Sequence, residues 1–85
     1  MTADTAEALA LGALGWILSD DDRAERLLSL TGMTPDGLRA AIGERGTLAA
    51  VLEFLVNHEP DLLGAAEHLG TDPATLVDAQ RILSR

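Results

Sequence analysis

The sequence contains no cysteine, no lysine and only two aromatic residues, Trp16 and Phe54, among its 85 positions. Without cysteine the chain has no disulfide scaffold, no thiolate metal site and no cysteine nucleophile. Positive charge is also scarce, because six arginines face 14 acidic residues and leave a formal net charge of −8. That balance opposes a basic nucleic-acid-binding domain, for which a cluster of arginine and lysine is the usual signature.

Long hydrophobic runs are missing as well. The longest apolar stretch covers 8–18, whereas a transmembrane helix needs about 20 residues. Asp4 and Glu7 make the start of the chain acidic, and a signal peptide would have a positively charged start. We therefore expect no membrane segment, and a cytoplasmic location.

Hydrophobic residues nevertheless make up 47% of the chain, mostly as alanine, leucine, valine and isoleucine. This content is too high for a disordered chain, and its alanine and leucine favour helices over strands. Helix-start and helix-stop signals recur along the sequence, and no window alternates with the period of two that is typical of a strand. The sequence predicts one all-α domain over 1–85, a compact bundle of about six short helices. The predicted helix starts lie at Asp4, Ser19, Thr34, Thr47, Pro60 and Asp72, with stops at Gly32 and Gly70.

An internal repeat underlies these helices. A shift of 38 residues places Gly32 on Gly70 and Pro35 on Pro73, and it also aligns the two aromatic residues. The sequence thus predicts two pseudo-repeated three-helix units, 5–42 and 43–80, with helix-turn-helix-like corners. The first and fourth helices are apolar nearly all round, which predicts that they are buried at the centre of the fold.

Two glycines interrupt the first helix, and each costs about 1 kcal/mol relative to alanine in a helix interior. We expect Gly12 and Gly15 to allow close approach by the fourth helix, at Ala49 and Ala50. Trp16 and Phe54 would then anchor one shared core. The alternative is that part of this apolar surface is a seam for self-association into a homodimer, which would help so small a chain to bury its apolar surface.

The segment 64–83 resembles a DNA-binding helix-turn-helix, because Ala66 and Gly70 have the spacing of a tight corner and Leu76 follows at a core position. In a DNA-binding protein the second helix would enter the major groove. Asp72, Asp78 and the net charge of −8 would oppose that contact, so nucleic acid is an unfavoured partner. The outward-facing candidates on this helix are Ala74, Thr75, Asp78, Arg81 and Arg85.

No arrangement of residues predicts catalysis, a metal site or a cofactor site. The run Asp20-Asp21-Asp22 suits the positive end of a helix dipole, and it lacks the spacing of a calcium loop. His58 and His68 are ten residues apart, without the spacing of paired metal ligands. The serines lie outside any nucleophile elbow. We expect no enzyme, no cofactor and no catalytic, cofactor-binding or metal-binding residue.

Two blocks of the sequence resemble a known family. ALGWILSDDDRAERLLSLTGMTPDGLRAAI (13–42) and LAAVLEFLVNHEPDLLGAAEHLG (48–70) are similar to domain-of-unknown-function family 3572, small helical proteins of alphaproteobacteria. The resemblance implies a bacterial protein and supplies no activity or site residue.

The composition and the missing motifs favour a non-enzymatic acidic helical module for protein–protein interaction, with a regulatory role as one form of it. Its acidic surface and the grooves between its helices suit a basic or helical protein partner. The alternative is a DNA-binding transcriptional regulator that uses 64–83.

Overall fold

Six α-helices and no strand form the protein, which a computed structural model describes over residues 1–85. The all-α class and the number of helices are confirmed. The helices are α1 (Ala3–Leu18), α2 (Asp21–Thr31), α3 (Pro35–Ala41), α4 (Arg45–Val56), α5 (Glu59–Leu69) and α6 (Pro73–Leu83).

The turns that open α3 and α6 and close α2 and α5 follow the sequence signals. Thr34 and Asp72 accept hydrogen bonds from backbone N–H groups of the first turn, and a proline follows each of them. Gly32 and Gly70 end α2 and α5 with φ of 72° and 69°. This left-handed conformation carries no steric penalty for glycine, which is why both helices stop there.

Three predicted helix caps were wrong by one to three residues, and α5 begins at Glu59, one residue before the predicted start at Pro60. Thr2 rather than Asp4 caps α1, because its hydroxyl accepts from the Thr5 amide. Asp20 caps α2 by accepting from the Arg23 amide, while Ser19 donates to the Trp16 carbonyl at the end of α1. The third case is α4, which begins at Arg45 without a side-chain cap. The predicted cap of α4, Thr47, lies inside the first turn and is only 6% exposed.

The core lies where α1, α4 and α6 pack against one another. The helices predicted to be central, α1 and α4, are in mutual contact, but α6 fills the space beside both. By contrast, α3 contributes only Leu38 to the core. The two helices that the 38-residue repeat equates, α3 and α6, thus differ in packing, and the repeat stays a prediction. The largest fully buried side chains are Ile17, Leu27, Val51, Leu52, Leu55 and Leu76.

The close approach that the glycines allow involves α5, not α4 as predicted. A Cβ atom on Gly12 would lie 2.8 Å from Cδ2 of Leu69. A Cβ atom on Gly64 would lie 2.7 Å from the Trp16 ring. Gly15 faces open space instead, with no atom within 4 Å of the position a Cβ would take. Gly12 and Gly64 therefore allow α1 and α5 to pack closely.

The two aromatic residues have different roles. Phe54 is buried in the core, as predicted for an anchor. Trp16 is half-buried and holds the corner between α1 and α2. The Arg23 guanidinium lies 3.8 Å from the centre of the Trp16 ring and donates a 2.8 Å hydrogen bond to the Trp16 carbonyl. This combination of cation–π contact and hydrogen bond fixes the angle between the two helices.

Because of the cap of α6, the stability of the fold depends on pH in the acid range. The Thr75 hydroxyl and then the Thr75 amide donate to Asp72, and these bonds hold the pKa of Asp72 below its ordinary value of 3.8. Because the folded-state pKa is the lower one, the carboxylate stabilises the fold fully above 3.8 and loses its effect as the pH falls through the folded value.

Replacing Asp72 by asparagine tests this cap, because the amide oxygen can accept the same bonds without the charge. We expect Asp72→Asn to melt below the wild type at neutral pH, and the two melting curves to converge in strong acid. The measurement is the thermal midpoint of both proteins across that pH range. A difference that persists unchanged in acid would show that the charge of Asp72 contributes nothing.

Candidate functional site

An open groove with a volume of about 740 Å³ runs between α2 and α4. One wall is the α2 face with Arg26 and Leu30, and the other is the α4 face that starts at Ala50. The groove is also lined by the α2–α3 turn and the α4–α5 junction. Its remaining lining residues are Thr31, Met33, Glu53, Phe54, Asn57 and His58.

The apolar part of the groove is accessible to a partner. Leu30 is 76% exposed, the highest exposure of any large hydrophobic side chain in the protein. Phe54 lines the groove and belongs to the core, and Met33 lines the groove and packs against the core. A single exposed leucine is ordinary on a protein surface, but one on the edge of an apolar concavity is typical of a binding site.

An ion pair between α2 and α5 involves Arg26, a lining residue of the groove. Nη1 of Arg26 lies 2.9 Å from Oδ2 of Asp61 on α5, an ion-pair distance without hydrogen-bond geometry. Nε2 of His58 lies 3.9 Å from the same oxygen. Asp61 is only 7% exposed, so Arg26 supplies the charge that this buried carboxylate needs. The i, i+4 spacing of Asp22 and Arg26 predicts an ion pair within α2. That prediction is wrong, because Arg26 pairs with Asp61 on α5 instead.

The rim of the groove is acidic. Glu53 lines the groove from α4 and is exposed. A shallower depression continues along the outer face of α2 and shares Arg26 and Leu30 with the groove. Asp22 and Glu25 line this depression and are both exposed. Because Asp61 neutralises the charge of Arg26, the carboxylates of Glu53, Asp22 and Glu25 make this part of the surface negative.

The structure places the predicted DNA-contacting residues on one side of α6. Ala74, Asp78, Arg81 and Arg85 are exposed, whereas Thr75 is half-buried and bonded to Asp72. Nη1 of Arg81 lies 3.7 Å from Oδ1 of Asp78. The cation that would meet a phosphate thus has a carboxylate beside it on the same face. The opposite face of α6, with Leu76, Ala79 and Leu83, belongs to the core.

The other polar candidates are dispersed. Asp20 caps α2, where the backbone hydrogen bond from Arg23 lowers its pKa. His58 precedes α5 and His68 lies in its last turn, on an exposed surface. No group of three or more histidine, aspartate or glutamate side chains is arranged to hold a metal ion. None of the helices combines the length and the apolar character needed to cross a bilayer.

Comparison with known proteins confirms the family resemblance of the sequence blocks at 13–42 and 48–70. The model of the family described as protein of unknown function (DUF3572) matches residues 3–85, nearly the whole chain. The chain belongs to the DUF3572 family. No curated protein and no solved structure matches it. For this DUF3572 member the groove between α2 and α4 is accordingly a site defined by geometry and charge alone.

Proposed function

We propose that the protein is a non-enzymatic helical module for protein–protein interaction, and that its partner docks in the groove between α2 and α4. The observation that carries the proposal is the exposure of Leu30 above an open apolar groove of about 740 Å³. Burial of a leucine side chain contributes about 1.5–3 kcal/mol, so a partner that covers Leu30 gains affinity directly.

The composition of the groove supports a protein partner over a small substrate. Met33 and Phe54 form an apolar centre, and the exposed Leu30 adds to it at the edge. Glu53 and Asn57 are exposed polar residues of the same lining. An apolar centre with a polar rim is the usual anatomy of a protein interface. The charge of Arg26 is matched by Asp61, and no serine or cysteine nucleophile lines the groove.

The net charge of −8 also bears on the choice of partner. Two copies of the chain repel each other at long range, and a nucleic acid repels either of them. Homodimerisation and DNA binding by 64–83 are therefore the competing outcomes of the test.

The test compares three tagged forms of the protein as baits in an extract of the native host. Leu30→Ala removes the groove side chain, and Leu63→Ala is the matched control, because Leu63 is 49% exposed on α5 outside the groove. We expect a protein that wild type and Leu63→Ala recover equally and that Leu30→Ala recovers about tenfold less. Quantitative mass spectrometry of the eluates measures the ratio.

Three results would contradict the proposal. Equal recovery by all three baits would mean that the groove is not the docking site. Genomic DNA retained by the wild type and lost from Arg81→Ala would favour the DNA-binding regulator. A doubled mass of the purified protein in light scattering, reduced to the monomer mass by Leu30→Ala, would assign the groove to a homodimer.

A further inference from the structure

We infer that the occupant of the groove is an amphipathic helix with an apolar stripe flanked by lysine or arginine. The inference rests on the proposed function and adds the chemistry of the partner. Two observations carry it, namely the helical spacing of the lining residues and the acidic rim.

The lining of the groove favours a helical occupant over other peptide conformations. Ala50, Glu53, Phe54 and Asn57 follow the i, i+3, i+4, i+7 spacing, so they form one face of α4 over two turns. That face is about 10 Å long at 1.5 Å per residue, and the α2 wall lies opposite it. The protein has no sheet edge that an added strand could pair with, and Phe54 is the only aromatic residue in the groove. Strand addition and proline-rich recognition, which need an edge or several aromatic side chains, are thus disfavoured.

The rim selects the charge of that helix. Glu53, Asp22 and Glu25 are exposed along the groove and its continuation on α2. Arg26 is matched by the buried Asp61, so it leaves these carboxylates uncompensated. A partner with cations beside its apolar stripe would place each cation near a carboxylate, whereas a partner with anions there would be repelled. A second copy of this chain would bring its own acidic rim to the groove, which is why a different, cationic partner fits better.

The experiment measures the binding of three synthetic peptides of about 16 residues, long enough to form a helix, by fluorescence anisotropy. One is an amphipathic Leu/Lys helix, the second an amphipathic Leu/Glu helix with the same apolar stripe, and the third a Lys/Ser peptide with the same positive charge and no apolar stripe. We expect the Leu/Lys helix to bind most tightly and added salt to weaken it.

Two pairs of variants locate the binding. Leu30→Ala is expected to weaken the Leu/Lys helix about tenfold, and Leu63→Ala to leave it unchanged. Glu53→Gln is expected to weaken it about two- to fivefold. Glu67→Gln is the matched control for charge, because it removes one exposed carboxylate from α5, outside the groove.

The inference is overturned if the Leu/Glu helix binds as well as the Leu/Lys helix. It is equally overturned if the Lys/Ser peptide binds as well, or if Glu67→Gln weakens binding as much as Glu53→Gln, because the attraction would then be diffuse. These failures are distinct from failure of the proposed function. Recovery of a native partner that depends on Leu30, together with no preference for the Leu/Lys helix, would retain the groove and reject the cationic helix.

Discussion

Leu52→Ala is expected to lower the free energy of unfolding by about 2–5 kcal/mol, the usual cost of truncating a buried leucine. Leu52 is fully buried on α4, the helix that packs against both α1 and α6. A domain of this size has a total stability of about 5–15 kcal/mol, so one substitution removes a large share of it. The thermal midpoint should fall by more than about 10 °C.

Leu63→Ala is the control for this prediction, because Leu63 is 49% exposed on α5. It changes the same number of atoms, and its expected effect is within about 1 kcal/mol of zero. Thermal and urea denaturation followed by circular dichroism measures both variants. Equal losses of stability in the two variants would contradict the described core.

The second large effect is that replacement by alanine changes the stability of the protein in opposite directions at two glycines. Gly64→Ala places a Cβ atom 2.7 Å from the Trp16 ring, which Arg23 covers on one face. The ring must shift, at a cost of about 1–3 kcal/mol. We expect that cost to exceed the gain of about 1 kcal/mol from replacing a helical glycine. Gly15→Ala has only the gain, because nothing lies within 4 Å of the new atom.

We therefore expect Gly15→Ala to be more stable than the wild type by about 0.5–1 kcal/mol, and Gly64→Ala to be less stable. Urea denaturation measures the change in the free energy of unfolding for each variant. The fluorescence of Trp16, the only tryptophan, should change in Gly64→Ala and stay constant in Gly15→Ala. Stabilisation by both substitutions would mean that α1 and α5 do not approach each other at Gly64.

Local signals explain how much of the fold the sequence predicts. The cap-and-proline pairs at Thr34 and Asp72 and the glycines at 32 and 70 act within a few residues, so a reading of the sequence finds them. The predicted cap at Thr47 failed because burial placed that residue inside α4. The close partner of Gly12 was missed for a similar reason, since it depends on where α5 lies relative to α1.

The groove could not be predicted from the sequence, because it also depends on how separate helices lie relative to one another. Its walls come from two helices separated along the chain, and the i, i+4 rule paired Arg26 with Asp22 on one helix. In the folded protein the buried Asp61 attracts Arg26 more strongly, because a carboxylate away from water needs a counter-charge. The one available signal was Leu30, an apolar residue on the otherwise polar face of α2 that holds Arg26.

The most direct test of the central claim is a nuclear magnetic resonance titration of the uniformly labelled protein with the Leu/Lys helix. We expect the amide shifts to concentrate along the α2 and α4 walls, at Leu30, Ala50, Glu53 and Asn57, and the α6 face with Ala74, Asp78 and Arg81 to stay unchanged. Shifts spread evenly over every acidic face, or concentrated on 64–83, would contradict the assignment of the groove as the docking site.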